Sequence, residues 1–330
     1  MAEFDQIPEQ ALRWIGMGKR VVLATVLQTW GSAPRPVGAQ MAISDSMEIQ
    51  GSISGGCVES AVIEEAMTSL QDGVSRILKY GVSDENAFDV GLSCGGDIQI
   101  LVEPVGMGNG PDIALLEQLT TLRATRRVAI YQVDTTSWAR QVLTPDTTIL
   151  DISARIIADK SGFEGDVFIG IHTPPLRMII VGAGHIAQPL TQMAALAGYD
   201  VTLIDPRTAF ATSARFPGVQ IVQDWPDVAL KAARLDARCA VVTLSHDPKI
   251  DDPAIIVALE SDAFYLGSLG SKRTHAKRVL RLGERKLAAH DIAKIHAPVG
   301  ADINAKSPSE IAISIMAEIT ERLRRPGTRR

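Results

Sequence analysis

Short apolar runs alternate with helical stretches through the second half of the chain. The first run is Met178-Ile179-Ile180-Val181, and further runs cover residues 200–204, 219–222, 239–244 and 264–267. Strands that are buried on both faces of a sheet have this near-continuous apolar character. A regular succession of such strands and helices predicts a parallel sheet with helices on both faces. The predicted fold class of this half is therefore α/β, with a Rossmann-type parallel sheet.

The first half mixes predicted helices and strands without regular alternation, so its fold class is predicted as mixed α/β or α+β. Apolar residues recur at four-residue steps from Val58 to Leu70 and predict a helix over about 57–70. Further helices are predicted at about 9–19 and 111–123. Strands are predicted at 21–27, 40–43, 98–103 and 128–133.

Glycine and proline become frequent between Asp159 and Pro175, which is typical of a connecting segment. We therefore predict an N-terminal domain over residues 1–160, a linker over 161–176, and a Rossmann-type domain over 177–330.

Composition and charge limit the classes of protein to which the chain could belong and the partners that it could bind. Of the 330 residues, 46% are hydrophobic and 22% are charged, which is typical of globular proteins with buried cores. The net charge of −5 argues against nucleic acid and anionic membranes as partners, because both favour basic surfaces. No apolar run approaches the roughly 18 residues that span a bilayer. The acidic start lacks the features of a signal peptide, so a cytoplasmic location is predicted.

A glycine pattern follows the first strand of the second half. The segment 182–187, with glycines at Gly182 and Gly184 and then His185, fits G-x-G-x-x-A between a strand and a helix. Gly182 permits a tight turn, and Gly184 lets the backbone approach a phosphate at the start of the helix. The alternative is that these glycines form a tight turn that serves packing and binds no ligand.

An acidic residue follows at the spacing that a dinucleotide site requires. Asp205 lies 23 positions after Gly182, at the end of the second predicted strand, where a carboxylate usually binds a ribose hydroxyl. Arg207 could tolerate a ribose phosphate, so the preference between NAD and NADP stays open.

Two later loops fall at the carboxyl ends of predicted strands, where open α/β sheets bind ligands. His246, with Asp247 beside it, could bind a ligand or transfer a proton, or it could be a structural loop residue. Gly267 and Ser268 precede a basic helix, which suits a second anion, although a solvated helix face is the alternative.

The three cysteines, Cys57, Cys94 and Cys239, form no close pair and predict neither a disulfide framework nor a zinc site. Cys57 follows Gly55-Gly56 beside a predicted helix start, where the helix dipole would stabilise a thiolate. The same glycines would leave backbone N–H groups open to another anionic group. Cys94 precedes a glycine pair, whereas Cys239 lies in a strand and is predicted to be a small buried residue.

Eight segments spread over the chain together form a recognisable pattern: Gly31-Ser32-Ala33-Pro34-Arg35, Ser54-Gly55-Gly56-Cys57-Val58-Glu59, Leu92-Ser93-Cys94-Gly95-Gly96, Val181-Gly182-Ala183-Gly184-His185, Asp205-Pro206-Arg207, Gly267-Ser268-Leu269-Gly270-Ser271, Ala297-Pro298-Val299-Gly300 and Ser307-Pro308-Ser309-Glu310-Ile311-Ala312. With these segments the chain as a whole resembles the XdhC/CoxI family of xanthine dehydrogenase accessory proteins. One departure from the family pattern is Ala301-Asp302-Ile303-Asn304-Ala305, where the family usually has leucine first and glycine before the last alanine.

This resemblance implies a maturation factor rather than an enzyme. It would bind the molybdenum cofactor and help supply the sulfurated form to a xanthine dehydrogenase-like apoenzyme, working with a cysteine desulfurase and as a homodimer. Cys57 would bind the metal or its sulfido group, with Cys94 in support. The full set of predicted cofactor-binding residues is Gly55, Gly56, Cys57, Cys94, Gly182, Gly184, His185, Asp205, Arg207, His246, Asp247, Gly267 and Ser268.

Two other functions stay open. An NAD(P)-dependent oxidoreductase would use the glycine pattern for its cofactor and His246 with Asp247 for proton transfer. A pure scaffold would join the desulfurase to the apoenzyme and bind neither ligand.

Overall fold

The computed structural model describes residues 6–30, 35–56, 58–81, 97–148 and 152–325. These residues form two compact units, which divide between Pro174 and Pro175 and are called here the N-terminal and C-terminal units. Across the described ranges, no helix is both long and apolar enough to cross a membrane.

The N-terminal unit contains two antiparallel sheets. The strand order is β3-β2-β1-β5-β4 in the first sheet and β7-β6-β9-β8 in the second. The described elements, in chain order, are α1 (Ile7–Gly16), β1 (Val21–Trp30), β2 (Gln40–Ser44), β3 (Ile49–Gly51), α2 (Glu59–Asp72), β4 (Arg76–Tyr80), β5 (Asp97–Pro104), α3 (Ile113–Ala124), β6 (Ala129–Asp134), β7 (Arg140–Leu143), α4 (Ser153–Ala158), β8 (Gly162–Glu164) and β9 (Val167–His172).

Strand β1 is buried over its first seven residues because helices cover both of its faces. Val22, Ala24 and Val26 pack with apolar residues of α2. Val21 and Leu23 point the other way and pack with residues of α1. This alternation follows from the two-residue period of a strand. The predicted helix over 57–70 corresponds to α2, which begins at Glu59 and ends at Asp72.

The segment predicted as a linker over 161–176 requires a correction. It contains β8 and β9, and β9 pairs with β6 from Ala129↔His172 to Asp134↔Val167. Phe168 and Ile169 are buried in the core of this sheet. Of the glycines that suggested a linker, Gly162 and Gly170 lie inside these strands and Gly165 lies in the turn between them, so the second sheet continues to His172.

The C-terminal unit has the predicted parallel sheet, with strand order β12-β11-β10-β13-β14. In this order β12, β11 and β10 form a mononucleotide-binding half, and β13 and β14 continue the sheet beyond β10, so the predicted fold class is confirmed. The elements are β10 (Arg177–Val181), α5 (Ala187–Leu196), β11 (Asp200–Ile204), β12 (Gln220–Val222), α6 (Pro226–Ala233), β13 (Cys239–Thr243), α7 (Pro248–Leu259), β14 (Tyr265–Ser268), α8 (Lys272–Glu284), α9 (Ala289–Ile292) and α10 (Pro308–Arg324).

Helices cover both faces of this sheet. Met178 and Ile180 of β10 pack on one face with Leu190 of α5 and Ile315 of α10. On the other face, apolar residues of β10 and β11 pack with α6 and α7. The carboxyl ends of β10, β11, β13 and β14 lie along one edge, and the loops that follow them carry the predicted site residues.

Cys239 is a buried residue at the start of β13, as predicted. Its Sγ accepts a hydrogen bond from Arg177 at 3.1 Å and lies 3.2 Å from Asp236 Oδ1. Burial raises the pKa of the thiol, which keeps it in the unreactive protonated form.

Candidate functional site

The glycine loop after β10 packs against the loop after β13. The Gly182 N–H donates to the Ile204 carbonyl at 2.8 Å, and its φ of +103° lies in the region that only glycine adopts readily. A Cβ placed on Gly182 would lie 2.6 Å from the Ser245 nitrogen and 2.8 Å from its Cα. Both the turn and the close approach therefore require glycine here, as the pattern predicts.

The start of α5 offers unpaired donors to an anion. Within the described part of the chain, the backbone N–H groups of Gly184, His185 and Ile186 have no acceptor. A Cβ placed on Gly184 would meet only the Leu244 carbonyl oxygen, at 3.8 Å, so the space above this backbone is open. These N–H groups carry the positive end of the helix dipole, and together they form a cradle that fits a phosphate.

The carboxylate of Asp205 is bound by the protein itself. Its side chain is 0% exposed, and Oδ2 accepts from the Ala183 N–H and from Arg207 Nη2, both at 2.7 Å. Oδ1 accepts from the Arg207 backbone N–H and from Nε, both at 2.9 Å. The guanidinium of Arg207 also lies over the Phe210 ring, 4.5 Å from its centre.

This arrangement uses the acceptor capacity of the Asp205 carboxylate within the chain. Burial alone would raise the pKa of Asp205, but the hydrogen bonds from Arg207 and Ala183 lower it, so the group stays ionised. The Asp205 carboxylate therefore links the glycine loop, through the Ala183 N–H, to the Arg207 side chain. The geometry leaves no acceptor site for the ribose hydroxyl that the sequence pattern predicts.

The loop after β13 is fixed by hydrogen bonds to α7. Asp247 begins this helix as its N-cap and accepts from the Lys249 N–H at 2.9 Å. Ser245 Oγ donates to Asp251 Oδ1 at 2.6 Å. His246 lies between them with a left-handed φ of +62° and is exposed. Of the two residues predicted here, His246 is therefore accessible to a ligand, while Asp247 serves mainly as a cap.

Gly267 and Ser268 lie inside β14 and are buried in the sheet. Ser268 is 0% exposed, and its Oγ lies 2.6 Å from Thr243 Oγ1 of the neighbouring strand. A Cβ on Gly267 would lie 2.5 Å from Val299 Cγ2, so this glycine permits close packing. Both residues are corrected from ligand contacts to structural positions, because the strand extends through them.

Of the predicted site residues of the N-terminal unit, Gly55 and Gly56 lie in a loop that already binds a carboxylate. Glu59 Oε1 accepts from the Ser54 N–H and Glu59 Oε2 from the Gly56 N–H, both at 3.0 Å, and Ser54 Oγ donates to the same group. Burial would raise the pKa of Glu59, but these Ser54 hydrogen bonds lower it. The donors predicted to be open are thus occupied at Ser54 and Gly56. Gly55 and Gly56 are exposed, and Cys57 and Cys94 lie outside the described residues.

Five charged residues near His246 are absent from the predicted set: Asp251, Arg273, Lys277, Arg278 and Arg281. Arg281 forms a bidentate ion pair with Asp252, at 2.7 and 3.0 Å. A sequence signal exists for three of the five, because Arg273, Lys277 and Arg281 recur at four-residue steps and share one helix face. The described residues contain no group of three or more histidine, cysteine or acidic side chains that could hold a metal ion.

A buried polar cluster fixes the segment before α10. Glu318 Oε2 accepts from Tyr265 OH at 2.6 Å and from the Gly300 N–H at 2.8 Å. Glu318 Oε1 lies 3.1 Å from His296 Nδ1, and the His296 ring stacks on Tyr265 with their centres 4.7 Å apart. Burial would raise the pKa of Glu318, but the hydrogen bonds from His296, Tyr265 and Gly300 lower it to about 2.

Comparison with known proteins gives matches over most of the chain. Residues 178–319 match the model of the XdhC Rossmann domain, and residues 14–81 match the model of the XdhC and CoxI family. The chain is 32% identical to the molybdenum cofactor insertion chaperone PaoD of Escherichia coli (strain K12), over 92% of this chain and 83% of that protein. It is 28% identical to a probable xanthine dehydrogenase subunit of Bacillus subtilis (strain 168), over 93% of this chain and 94% of that protein.

One solved structure shares the fold over the full length. The crystal structure of a xanthine dehydrogenase from Bacillus halodurans matches with a TM-score of 0.77 and 24% sequence identity. The match covers 100% of this chain and 97% of the other. At this identity the likeness concerns the fold alone.

Proposed function

The chain belongs to the XdhC and CoxI family, and from this premise we propose that it binds the molybdenum cofactor and assists its insertion into a molybdoenzyme. The cofactor is the cargo in this proposal, and a xanthine dehydrogenase-like apoenzyme receives it. A cysteine desulfurase would supply the sulfur for the sulfurated form, and the protein would act as a homodimer.

The observation that carries this proposal is the open cradle at the start of α5. The cofactor is a pterin that bears a phosphate, so a carrier protein needs a site for that anion. The unpaired N–H groups of Gly184, His185 and Ile186 supply such a site, and the absence of a side chain on Gly184 gives a phosphate access. His246 is exposed on the neighbouring loop and is proposed to contact the same ligand.

The arrangement of Asp205 argues against the rival oxidoreductase. Such an enzyme needs an acceptor for the ribose of its nicotinamide cofactor, and Asp205 is engaged with Ala183 and Arg207. It also needs a proton donor, and Asp247, one of the two candidates, caps a helix. A carrier of a phosphorylated pterin requires neither group.

A methyl group at Gly184 should remove cofactor binding without disturbing the fold. The Gly184→Ala protein should retain at least tenfold less cofactor, because the loss of charge-assisted hydrogen bonds costs about 1.5–3 kcal/mol. The measurement is molybdenum by mass spectrometry and oxidised pterin by fluorescence on purified protein. Reconstitution of an apo-molybdoenzyme should fall in parallel.

Gly283→Ala is the matched control, because a Cβ there meets nothing within 4 Å and Gly283 lies near the C-terminal end of α8. Cofactor retention by this control should equal that of the wild type. If Gly184→Ala retains as much cofactor as this control, the cradle is not the binding site. If the wild type binds no pterin but still binds its apoenzyme, the protein is a scaffold.

In the N-terminal unit, Cys57 is proposed to bind molybdenum or its sulfido group, with support from Cys94. A thiolate is the soft ligand that would suit molybdenum or its sulfido group. Cys57→Ala should retain less than half of the wild-type molybdenum, while Cys239→Ala, which changes a buried thiol, should retain all of it. Equal retention in the two variants would remove Cys57 from the proposal.

A further inference from the structure

A small basic cavity lies between α7 and α8 in the C-terminal unit. It encloses about 260 Å³, and its charged lining residues are His246, Asp251, Arg273, Lys277, Arg278 and Arg281. We call it the α7–α8 pocket. With the exception of His246, these residues have no part in the proposed cofactor cradle.

The guanidinium of Arg278 is buried in this pocket with unused donors. The residue is 2% exposed, and its Nη2 donates to the Leu269 carbonyl at 2.9 Å. Nε and Nη1 are also shielded from solvent and have no hydrogen-bond partner. An unsatisfied buried cation is costly, and such groups in native proteins are normally satisfied by a ligand, an ion or water. The planar guanidinium fork matches the oxygen spacing of a phosphate.

Asp251 lines the same pocket with one unused oxygen. It is 1% exposed, and its Oδ1 accepts from Ser245 Oγ at 2.6 Å and from the Ser245 N–H at 3.2 Å, while Oδ2 has no partner. Burial raises the pKa of Asp251. A ligand oxygen at Oδ2 must therefore share a proton with this carboxyl group.

The remaining cations make the pocket positive. Arg281 is neutralised by its bidentate pair with Asp252. Arg273 and Lys277 are exposed, and no acidic side chain of the described residues lies within ion-pair distance of either. Two uncompensated surface cations and the buried guanidinium outweigh the single carboxyl of Asp251. The ligand must be an anion that can also carry a proton.

We propose that the α7–α8 pocket binds a phosphate group, held by Arg278 and by a proton shared with Asp251. The inference goes beyond the proposed function, because it assigns a second anion site to side chains that the cradle at α5 does not use. Phosphate is an anion that also carries a proton at neutral pH, so it meets both requirements of the pocket. Sulfate has the same shape and charge, but at neutral pH it brings no proton to the Asp251 carboxyl.

Calorimetric titration of the full chain with inorganic phosphate and with sulfate tests this at pH 7.5 and constant ionic strength. Phosphate should bind the wild type at least tenfold more tightly than sulfate. The double variant Arg273→Gln/Lys277→Gln should bind phosphate at least tenfold more weakly. Its matched control, Arg285→Gln/Lys286→Gln, alters two exposed cations at the other end of α8 and should change the affinity less than twofold.

Asp251→Asn tests the shared proton. The amide oxygen can still accept from Ser245, and the amide N–H can donate to either anion, so sulfate should bind as tightly as phosphate. A preference for phosphate that survives this change would contradict the assignment of Asp251. Phosphate affinity equal in Arg273→Gln/Lys277→Gln and in its control would overturn the site.

Gly184→Ala separates this inference from the proposed function. If the variant loses cofactor but binds phosphate normally, both proposals stand. If it loses phosphate while Arg273→Gln/Lys277→Gln keeps it, the cradle is the phosphate site and the pocket is not. Competition by glycerol 3-phosphate would identify phosphate monoesters as the ligand class, and its failure would identify free phosphate; either outcome supports the site.

Discussion

The Gly182→Ala protein is expected to lose about 3–5 kcal/mol of unfolding free energy, as the sum of a left-handed φ and overpacking. The added Cβ would lie 2.6 Å from the Ser245 nitrogen, which belongs to the backbone and cannot rotate away. The loop would have to shift, and the hydrogen bond between Ala183 and Asp205 would be disturbed with it. Urea unfolding followed by circular dichroism measures the loss.

Gly184→Ala serves as the control for Gly182→Ala, because it adds the same methyl group two residues away without a close contact. It should unfold within about 0.5 kcal/mol of the wild type, as surface changes usually do. Comparing the two variants thus shows which glycine of the motif is required for stability. If Gly182→Ala is as stable as Gly184→Ala, the close packing of this loop on Ser245 is not a determinant of stability.

The Glu318→Gln protein is expected to lose about 2–3 kcal/mol of unfolding free energy at pH 7. The carboxylate accepts from Tyr265 and Gly300 and pairs with His296, and these contacts lower its pKa from 4.5 to about 2. The neutral amide has one oxygen to replace two, and its NH₂ group cannot accept a hydrogen bond. Tyr265 and Gly300 both donate to Oε2, so an amide oxygen in that place leaves the NH₂ group facing His296 Nδ1, and the negative charge beside His296 is lost.

The same pKa fixes the pH dependence of this contribution. Above pH 4.5 the carboxyl group is ionised in both folded and unfolded chains, and its contribution to stability is complete. Between pH 4.5 and 2 the unfolded chain binds the proton first, so the contribution is lost as the pH falls. Unfolding measured from pH 7 to 3 should therefore show a shallower acid loss in Glu318→Gln than in the wild type. Glu260→Gln, at an exposed position, should follow the wild type at every pH.

The sequence predicts the interior of the fold better than its edges. Central strands such as β1, β10 and β13 are apolar on both faces, and their runs are visible in the chain. Four of the five strands absent from the prediction, β3, β4, β7 and β8, lie at the ends of their sheets and are largely polar or half-exposed. The fifth, β9, is a buried inner strand that lies in the segment predicted as a linker. An edge strand buries little side-chain surface, so its pattern resembles that of a loop.

The sequence likewise predicts only part of the candidate site. The spacing of Gly182 and Gly184 predicts the turn and the open cradle, because both follow from the backbone of a strand–loop–helix unit. The partner of a charged side chain does not follow from spacing. Asp205 pairs with Arg207 and Glu59 binds the Ser54 loop, and either carboxylate would give the same sequence pattern if it faced a ligand. Whether such a carboxylate binds its own chain or a ligand depends on differences of a few ångströms in side-chain position, which residue spacing does not determine.

The pairing of Asp205 with Arg207 has a consequence for competition among ligands in the cell. Pyridine dinucleotides are abundant, and folds of this type recognise them through a free acidic side chain at this place. Here an internal guanidinium takes that position. In the function proposed above, recognition would depend on the backbone cradle, and the common redox carriers would find no free carboxylate at this place.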